Sequence, residues 1–249
     1  MSRGPKIALV TGGHARVGQA ISRALAAQGW QVLLHAFRGV AQAQALDREL
    51  NAPPLGVWQA DFSQVEATLA SFQCLLAGLP PQAELAVVFN ASIFDNDDRD
   101  TATLANFRVN HALHYEVPVM MMLAAARCFP TGQAVVLLDQ NVENLHDQFL
   151  SYCLSKGAMY AAVKRLALTL APFRVNAVAP GPTLLPHGAD PERFEAAALA
   201  SPLRGASRPE DVADAVAWLT RAGRVTAQTI FVDAGQHLQQ WREPAAPGG

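Results

Sequence analysis

Lys6-Ile7-Ala8-Leu9-Val10-Thr11-Gly12-Gly13-His14-Ala15-Arg16-Val17-Gly18 is the stretch that decides the fold of this chain. Ile7 to Val10 is an apolar run without alternation, which marks a strand covered on both faces, as in a parallel sheet. Three glycines follow, and then a helical pattern over 17–28. Glycines between a strand and a helix let the backbone approach a pyrophosphate that rests on the helix N-terminus. The turn does not satisfy the strict Gly-x-Gly-x-x-Gly spacing, but its place directly after a strand predicts a dinucleotide site.

Working outward, apolar runs alternate with helical patterns to the end of the chain. Strands are expected at 31–37, 55–59, 85–89, 134–138, 174–178 and 229–232. Helices are expected at 40–50, 64–77 (capped by Ser63), 103–128, 149–171 and 209–220. Such βα repetition with right-handed crossovers gives a single-domain doubly wound α/β fold. About seven parallel strands carry helices on both faces, with ligands at the strands' carboxyl ends. The domain is expected to span 1–240, with a Pro-, Ala- and Gly-rich insertion at about 182–208 over the crevice. A flexible tail is expected at 241–249.

Composition narrows the function classes. The 249 residues are 51% hydrophobic, enough for a large core. A net charge of −2 without a basic run argues against nucleic acid as a partner. Cys74, Cys128 and Cys153 are scattered and odd in number, which reads as reduced thiols. No signal peptide is evident, and the apolar segment 117–129 is interrupted by Arg127 and too short to span a bilayer. A soluble cytoplasmic protein with no membrane partner is expected.

The second strand bears on which dinucleotide is bound. NAD-binding chains usually end that strand in an acid that accepts from the ribose hydroxyls. Here it ends His35-Ala36-Phe37-Arg38-Gly39, with no acid before Asp47. A guanidinium at Arg38 can hold a 2′-phosphate through its planar fork, and Arg16 can add a second cation, so NADPH is favoured. The alternative is that Arg38 is a solvated strand-end residue.

Tyr152 and Lys156, in Tyr-Cys-Leu-Ser-Lys, stand one helical turn apart on one face. Lys156 is one of only three lysines in the chain. A neighbouring ammonium favours the phenolate, so the Tyr152 pKa is expected to fall towards neutrality and make it a usable acid or base.

Together these motifs resemble the short-chain dehydrogenase/reductase family over essentially the whole chain, and in the family's order. The glycine turn resembles Thr-Gly-x-x-x-Gly-x-Gly, with Arg16 in place of the middle glycine. Asn90-Ala91-Ser92 resembles the family's Asn-Ala-Gly. Arg174 to Gly181 and Val232-Asp233-Ala234-Gly235 resemble the strand against the nicotinamide and the closing Val-Asp-Gly-Gly. The resemblance implies a cofactor site made of Gly12, His14, Arg16, Val17, Gly18, Phe37, Arg38, Asp61, Phe62, Asn90, Ala91, Ser92, Lys156, Pro180, Gly181 and Thr183. It implies Asp61 beside the adenine, Lys156 on the nicotinamide ribose, and Asn110 holding a water of the proton relay. A homotetramer or homodimer is also implied, because the equivalent helices pack between subunits.

One departure is informative. Thirteen residues before the tyrosine the family carries a serine, and this chain has Asp139. A carboxyl can deliver a proton to a ring nitrogen, which a serine hydroxyl does poorly. Asp139, Arg16 and Ser92 together resemble the pteridine reductases and bacterial dihydromonapterin reductases. That resemblance implies a hydride transfer to a C=N bond of a dihydropterin. Tyr152 and Asp139 would supply the proton, while Arg16, Ser92 and Phe94 would orient the ring. Plainer readings stand beside these: Asp139 as a cap of the following loop, and Phe94 as ordinary packing. A carbonyl reductase of the same family is the alternative enzyme, and a non-catalytic dinucleotide-sensing protein the alternative from another class.

Three constellations are set aside. His111 and His114 stand three residues apart with Glu116 nearby, but the pair lacks a convincing third ligand, so no metal is expected. The cluster Asp95 to Asp100 has neither the glycine nor the terminal glutamate of a calcium loop and reads as a solvated lip. Cys153 has no partner for nucleophilic work.

Overall fold

The computed structural model of the protein describes residues 4–185 and 190–238. Seven strands, β1 (Lys6–Thr11), β2 (Gln31–Ala36), β3 (Val57–Gln59), β4 (Glu84–Phe89), β5 (Gln133–Leu137), β6 (Arg174–Pro180) and β7 (Thr229–Val232), form one sheet. All neighbouring strands are parallel, in the order β3-β2-β1-β4-β5-β6-β7. Strand order reverses between β1 and β4, which parts the connections there and leaves a crevice at their carboxyl ends. Eight α-helices are described: α1 (Arg16–Ala27), α2 (Val40–Leu50), α3 (Val65–Gly78), α4 (Leu104–His111), α5 (Val117–Cys128), α6 (Leu150–Thr169), α7 (Pro191–Ala200) and α8 (Pro209–Arg221).

Successive strand residues feed opposite faces. Leu9, Val87, Val136 and Val175 pack with Phe72 of α3, Met121 and Met122 of α5, and Met159 and Val163 of α6. Val10, Leu34, Val88 and Val135 pack with Ile21 and Leu25 of α1 and with Val212, Val216 and Leu219 of α8. Each such buried side chain contributes roughly 1.5–3 kcal/mol. Two covered faces explain why the strands read as unbroken apolar runs. No helix among the described residues is long and apolar enough to cross a membrane.

Three expectations change. The helix foreseen at 103–128 is divided into α4 and α5 by a wider π turn at Ala112–Glu116. Pro118 in the first turn of α5 has no N–H to return to the carbonyl of His114, so the regular ladder cannot pass through. The insertion at 182–208 contains a helix that its composition did not announce, α7. Asp190 caps that helix by accepting from the Glu192 amide at 2.9 Å, with Pro191 at its first position. Ser63 does not cap α3, which begins after Gln64 with no side-chain cap. The tail foreseen at 241–249 lies outside the described residues, as do 186–189 within the insertion.

Candidate active site

The crevice is built first by backbone clamps. Thr11 Oγ1 accepts from the amides of Asn90 and Ala91, both at 2.9 Å. Asn90 Nδ2 donates back to the carbonyls of Thr11 and Gly12 at 3.0 and 3.2 Å. These bonds join the ends of β1 and β4 and hold the glycine turn. At Gly18 an added Cβ would lie 2.2 Å from Gly12 O and 2.6 Å from Asn90 Nδ2, so only glycine fits. Gly12 has φ +59°, a conformation glycine adopts without cost.

Arg16 also has a left-handed backbone, φ +52°. It stands where the family pattern has glycine, and a side chain there costs about 1–2 kcal/mol. Its guanidinium donates to the carbonyls of Leu184 and Leu185 at 3.2 and 3.1 Å. Arg16 therefore ties the glycine turn to the loop after β6 and is not free over the cleft.

His35, in the second strand, supports the same turn, a role that the sequence pattern does not announce. The Gly12 amide donates to His35 Nδ1 at 3.1 Å, and Nε2, 3.0 Å from Ala60 O, carries the ring hydrogen. Burial pushes its pKa down to about 4, so it is neutral at ordinary pH. Its ring stacks on Phe62 at 4.5 Å. Phe62, foreseen at the cofactor, is instead buried in the core with only its backbone to offer.

At the end of β2, Phe37 is exposed, and the Arg38 guanidinium lies over its ring, 5.2 Å from the centroid. His14 lies against the Gly39 turn, and its buried Nδ1 has no partner among the described residues. Asp61 turns Oδ1 back to the Ser63 amide at 2.9 Å. Val17 is partly buried against the core. Pro180 ends β6, Gly181 packs directly on Asp233, and Thr183 Oγ1 donates to Gly181 O at 2.9 Å. A glycine cradle closed to any side chain, an exposed arginine and an orphaned imidazole nitrogen fit a phosphorylated dinucleotide along this edge.

The reactive groups meet at the ends of β5 and α6. Tyr152 donates its hydroxyl hydrogen to Asp139 Oδ2 at 2.8 Å, and Asp139 Oδ1 accepts from the Asn141 amide at 2.9 Å. Asp139 thus both caps the following turn and faces the phenol. Lys156 is buried and donates to Leu137 O at 2.7 Å, with Nζ 5.5 Å from the Tyr152 ring centre.

The expected acidification of Tyr152 by Lys156 does not hold. Burial, reinforced by the charge and hydrogen bond of Asp139, places the phenol well above its ordinary value. Burial also raises Asp139 and pushes Lys156 down to about 8. Every shift favours the uncharged form, because removal from water outweighs the mutual attractions.

Asn110, foreseen as the relay residue, is buried but turned into its own helix. Its Nδ2 donates to Asn106 O at 3.0 Å, while Oδ1 has no partner among the described residues. His114, one turn later in the π segment, touches the phenol directly, a role its spacing to His111 does not announce. Its ring meets Tyr152 edge-on at 5.3 Å between centroids. Nε2 lies 2.9 Å from Ser92 Oγ and Nδ1 2.9 Å from Ser155 Oγ. Burial and the Lys156 charge hold its pKa well below the usual range. Nothing in the sequence pattern separated it from His111, which stays near the surface 4.0 Å from Glu116. Among the described residues no three His, Cys, Asp or Glu side chains gather as metal ligands would.

Phe94 stacks on Phe149 at 4.1 Å and meets Tyr152 edge-on at 4.8 Å, so one of its faces is already covered. Asp97 corrects the reading of the acidic lip. It is buried and anchors the start of α6, accepting from the Ser151 amide at 3.0 Å and from the Ser151 hydroxyl. Cys153 is held up at about 12 by burial and the nearby Asp139 and Asp97, so it is an inert thiol at neutral pH.

Three comparisons place these features among known proteins. A short-chain dehydrogenase family model, described as enoyl-(acyl carrier protein) reductase, matches residues 13–237. A granaticin polyketide synthase putative ketoacyl reductase from Streptomyces violaceoruber is 30% identical, covering 93% of this chain and 96% of that one. Dihydromonapterin reductase from Citrobacter koseri is 28% identical over the same shares. The crystal structure of FolM alternative dihydrofolate reductase 1 from Brucella canis, complexed with NADP, superposes with a TM-score of 0.88. It is 33% identical, with 98% of each chain covered.

Proposed function

Since the chain belongs to the short-chain dehydrogenase/reductase family, we propose that it is an NADPH-dependent reductase of a C=N bond in a dihydropterin. The observation that carries this reading is the 2.8 Å contact between Tyr152 and Asp139, where the family usually has serine. A buried carboxyl whose pKa is raised holds a proton at a pH where ordinary carboxylates have lost theirs. A basic ring nitrogen is the natural acceptor for such a proton, and a ketone oxygen needs no carboxylic acid beside the tyrosine. Similarity to a dihydromonapterin reductase and to an alternative dihydrofolate reductase supports the same substrate class.

NADPH supplies the hydride when bound. In this reading Gly12 and Gly18 admit its pyrophosphate, Arg38 and His14 meet the 2′-phosphate, and Lys156 holds the nicotinamide ribose. Tyr152 and Asp139 deliver the proton to the ring nitrogen beside the reduced carbon. Ser92 and Phe94 border the pterin, and Arg16 acts through the loop carbonyls it binds. Asn110 contributes its unpartnered Oδ1 to an ordered water. The domain extends to about residue 240, with the 182–208 segment shaping substrate choice. Exposed Phe107, Met120, Leu154 and Leu168 on α4, α5 and α6 support assembly as a homodimer or homotetramer.

A second reading, reduction of a 3-oxoacyl or other carbonyl, is favoured by the ketoacyl reductase relative and by the family description. NADPH consumption on dihydromonapterin, dihydrobiopterin, dihydrofolate and a β-ketoester separates the two. A dihydropterin should be preferred in kcat/KM by at least about tenfold, the scale on which a specific polar pairing discriminates. A ketoester turned over equally well or better refutes the proposal.

A further inference from the structure

The hydrogen bonds around His114 have a direction that can be read from their buried end. Ser155 donates its only hydroxyl hydrogen to the main-chain oxygen of Tyr152 at 2.7 Å. Towards His114 Nδ1, 2.9 Å away, the Ser155 oxygen can therefore only accept, so Nδ1 carries the ring hydrogen. His114 is buried and neutral, which leaves Nε2 as a bare acceptor 2.9 Å from Ser92 Oγ. A buried acceptor without a donor is costly. The competing contact of Ser92 with Ile93 O is longer, at 3.2 Å, and local.

We propose that His114 is a positioning residue of the active site: it draws the Ser92 hydroxyl hydrogen inward, so that the exposed Ser92 oxygen, within hydrogen-bonding reach of the Tyr152 hydroxyl, turns lone pairs towards that hydroxyl and the open cleft. Two consequences follow. Ser92 is withheld as a donor to a Tyr152 phenolate, which, together with Asp139 and Cys153, keeps the phenol protonated against the pull of the Lys156 ammonium. Ser92 also becomes an acceptor for substrate, selecting a ring that presents an N–H, as the aminopyrimidine half of a pterin does, over a bare carbonyl oxygen. This second consequence rests on the dihydropterin reading, and the first does not.

The test is an ultraviolet titration of Tyr152, with Tyr152→Phe as the blank, which needs no substrate. His114→Phe keeps the aromatic volume but frees the Ser92 hydrogen, and should raise the Tyr152 ionisation constant by about tenfold, the worth of one hydrogen bond to a charged oxygen. His114→Gln, whose amide oxygen can still take that hydrogen, should titrate like the wild type. In a Ser92→Ala background His114→Phe should have no effect. Equal titration of wild type and His114→Phe, no titration of Tyr152 in either below alkaline unfolding, or a shift that survives Ser92→Ala overturns the assignment. Should His114→Phe fail to fold, Ser155→Ala releases the ring hydrogen and must shift the titration in the same direction; no shift there overturns it equally. On substrates, His114→Phe should lower kcat/KM for dihydrobiopterin by about tenfold and for ethyl acetoacetate by less than about twofold. Equal losses overturn the substrate consequence. No dihydropterin turnover in the wild type, with the titration as stated, overturns the dihydropterin reading and leaves the His114 assignment standing.

Discussion

Replacing Lys156 by Met should make the protein more tolerant of heat at neutral pH relative to its behaviour in alkali, and the size of the effect follows from burial. The ammonium is wholly enclosed, and its pKa falls from 10.5 to about 8. That difference corresponds to about 3 kcal/mol at 1.36 kcal/mol per unit. Below pH 8 the lysine is charged in both the folded and unfolded chains, so the folded state bears the whole cost. Between about 8 and 10.5 the native protein releases the proton while the unfolded chain keeps it, so stability rises with pH. Above 10.5 both forms are neutral and the cost is gone. Lys156→Met removes this dependence, and it also removes the bond to Leu137 O, worth about 1.5–3 kcal/mol to the ammonium and about 0.5–1.5 kcal/mol to the neutral amine, a difference already contained in the lowered pKa. The wild type should therefore gain up to about 3 kcal/mol on the variant between pH 7 and pH 10.5. At about 2–4 °C per kcal/mol this is a relative rise of several degrees in melting temperature. Melting both proteins across that range by circular dichroism checks it. A gap that stays flat would refute the idea that a desolvated ammonium sits at this position.

Tyr152→Phe should cut turnover by roughly 10²–10⁴-fold, the usual worth of a general acid, while NADPH fluorescence titration stays unchanged; unaltered turnover rejects its role. Gly18→Ala puts a methyl 2.2 Å from Gly12 O, so the turn must open, at a cost of about 1–3 kcal/mol. NADPH binding should weaken by at least about tenfold, and wild-type affinity would show that the cradle is not used. Arg38→Ala should weaken NADPH by about tenfold or more and leave NADH within about twofold, since only the 2′-phosphate loses its partner. Equal losses on the two cofactors would place the phosphate elsewhere.

Much of this was legible in residue order. Unbroken apolar runs such as Leu85 to Phe89 announced a parallel sheet, because only strands covered on both faces need no polar side. The one-turn spacing of Tyr152 and Lys156 and the odd carboxyl at Asp139 announced where the chemistry would gather. The helix α7 carried its own notice in Asp190-Pro191-Glu192, a cap followed by a proline suited to a first turn. Its surroundings, rich in small residues, hid it. The division of 103–128 was likewise written in Pro118, but a proline permits either a kink or a helix start, and only packing chooses. His114 could not be found from spacing at all. It and His111 sit one turn apart, and what separates them is that His114 is buried against Ser155 of α6 while His111 stays partly exposed.

Spacing gave adjacency at the active site and misjudged charge, and the reason is general. An ammonium one turn from a phenol acidifies it when both are wet, since attraction acts while hydration of each ion persists. Here Asp139, Tyr152, Lys156 and His114 share one enclosure, and desolvation is the largest influence on all four. Uncharged forms gain: the carboxyl and the phenol hold their protons more tightly than usual, and the imidazole gives up its second proton more readily. Such a cluster is poised to give a proton to a base that arrives and to resist losing one to water. A substrate nitrogen that becomes basic as hydride reaches the neighbouring carbon meets that condition directly. The enclosure that burdens Lys156 is thus the same enclosure that raises the Asp139 carboxyl.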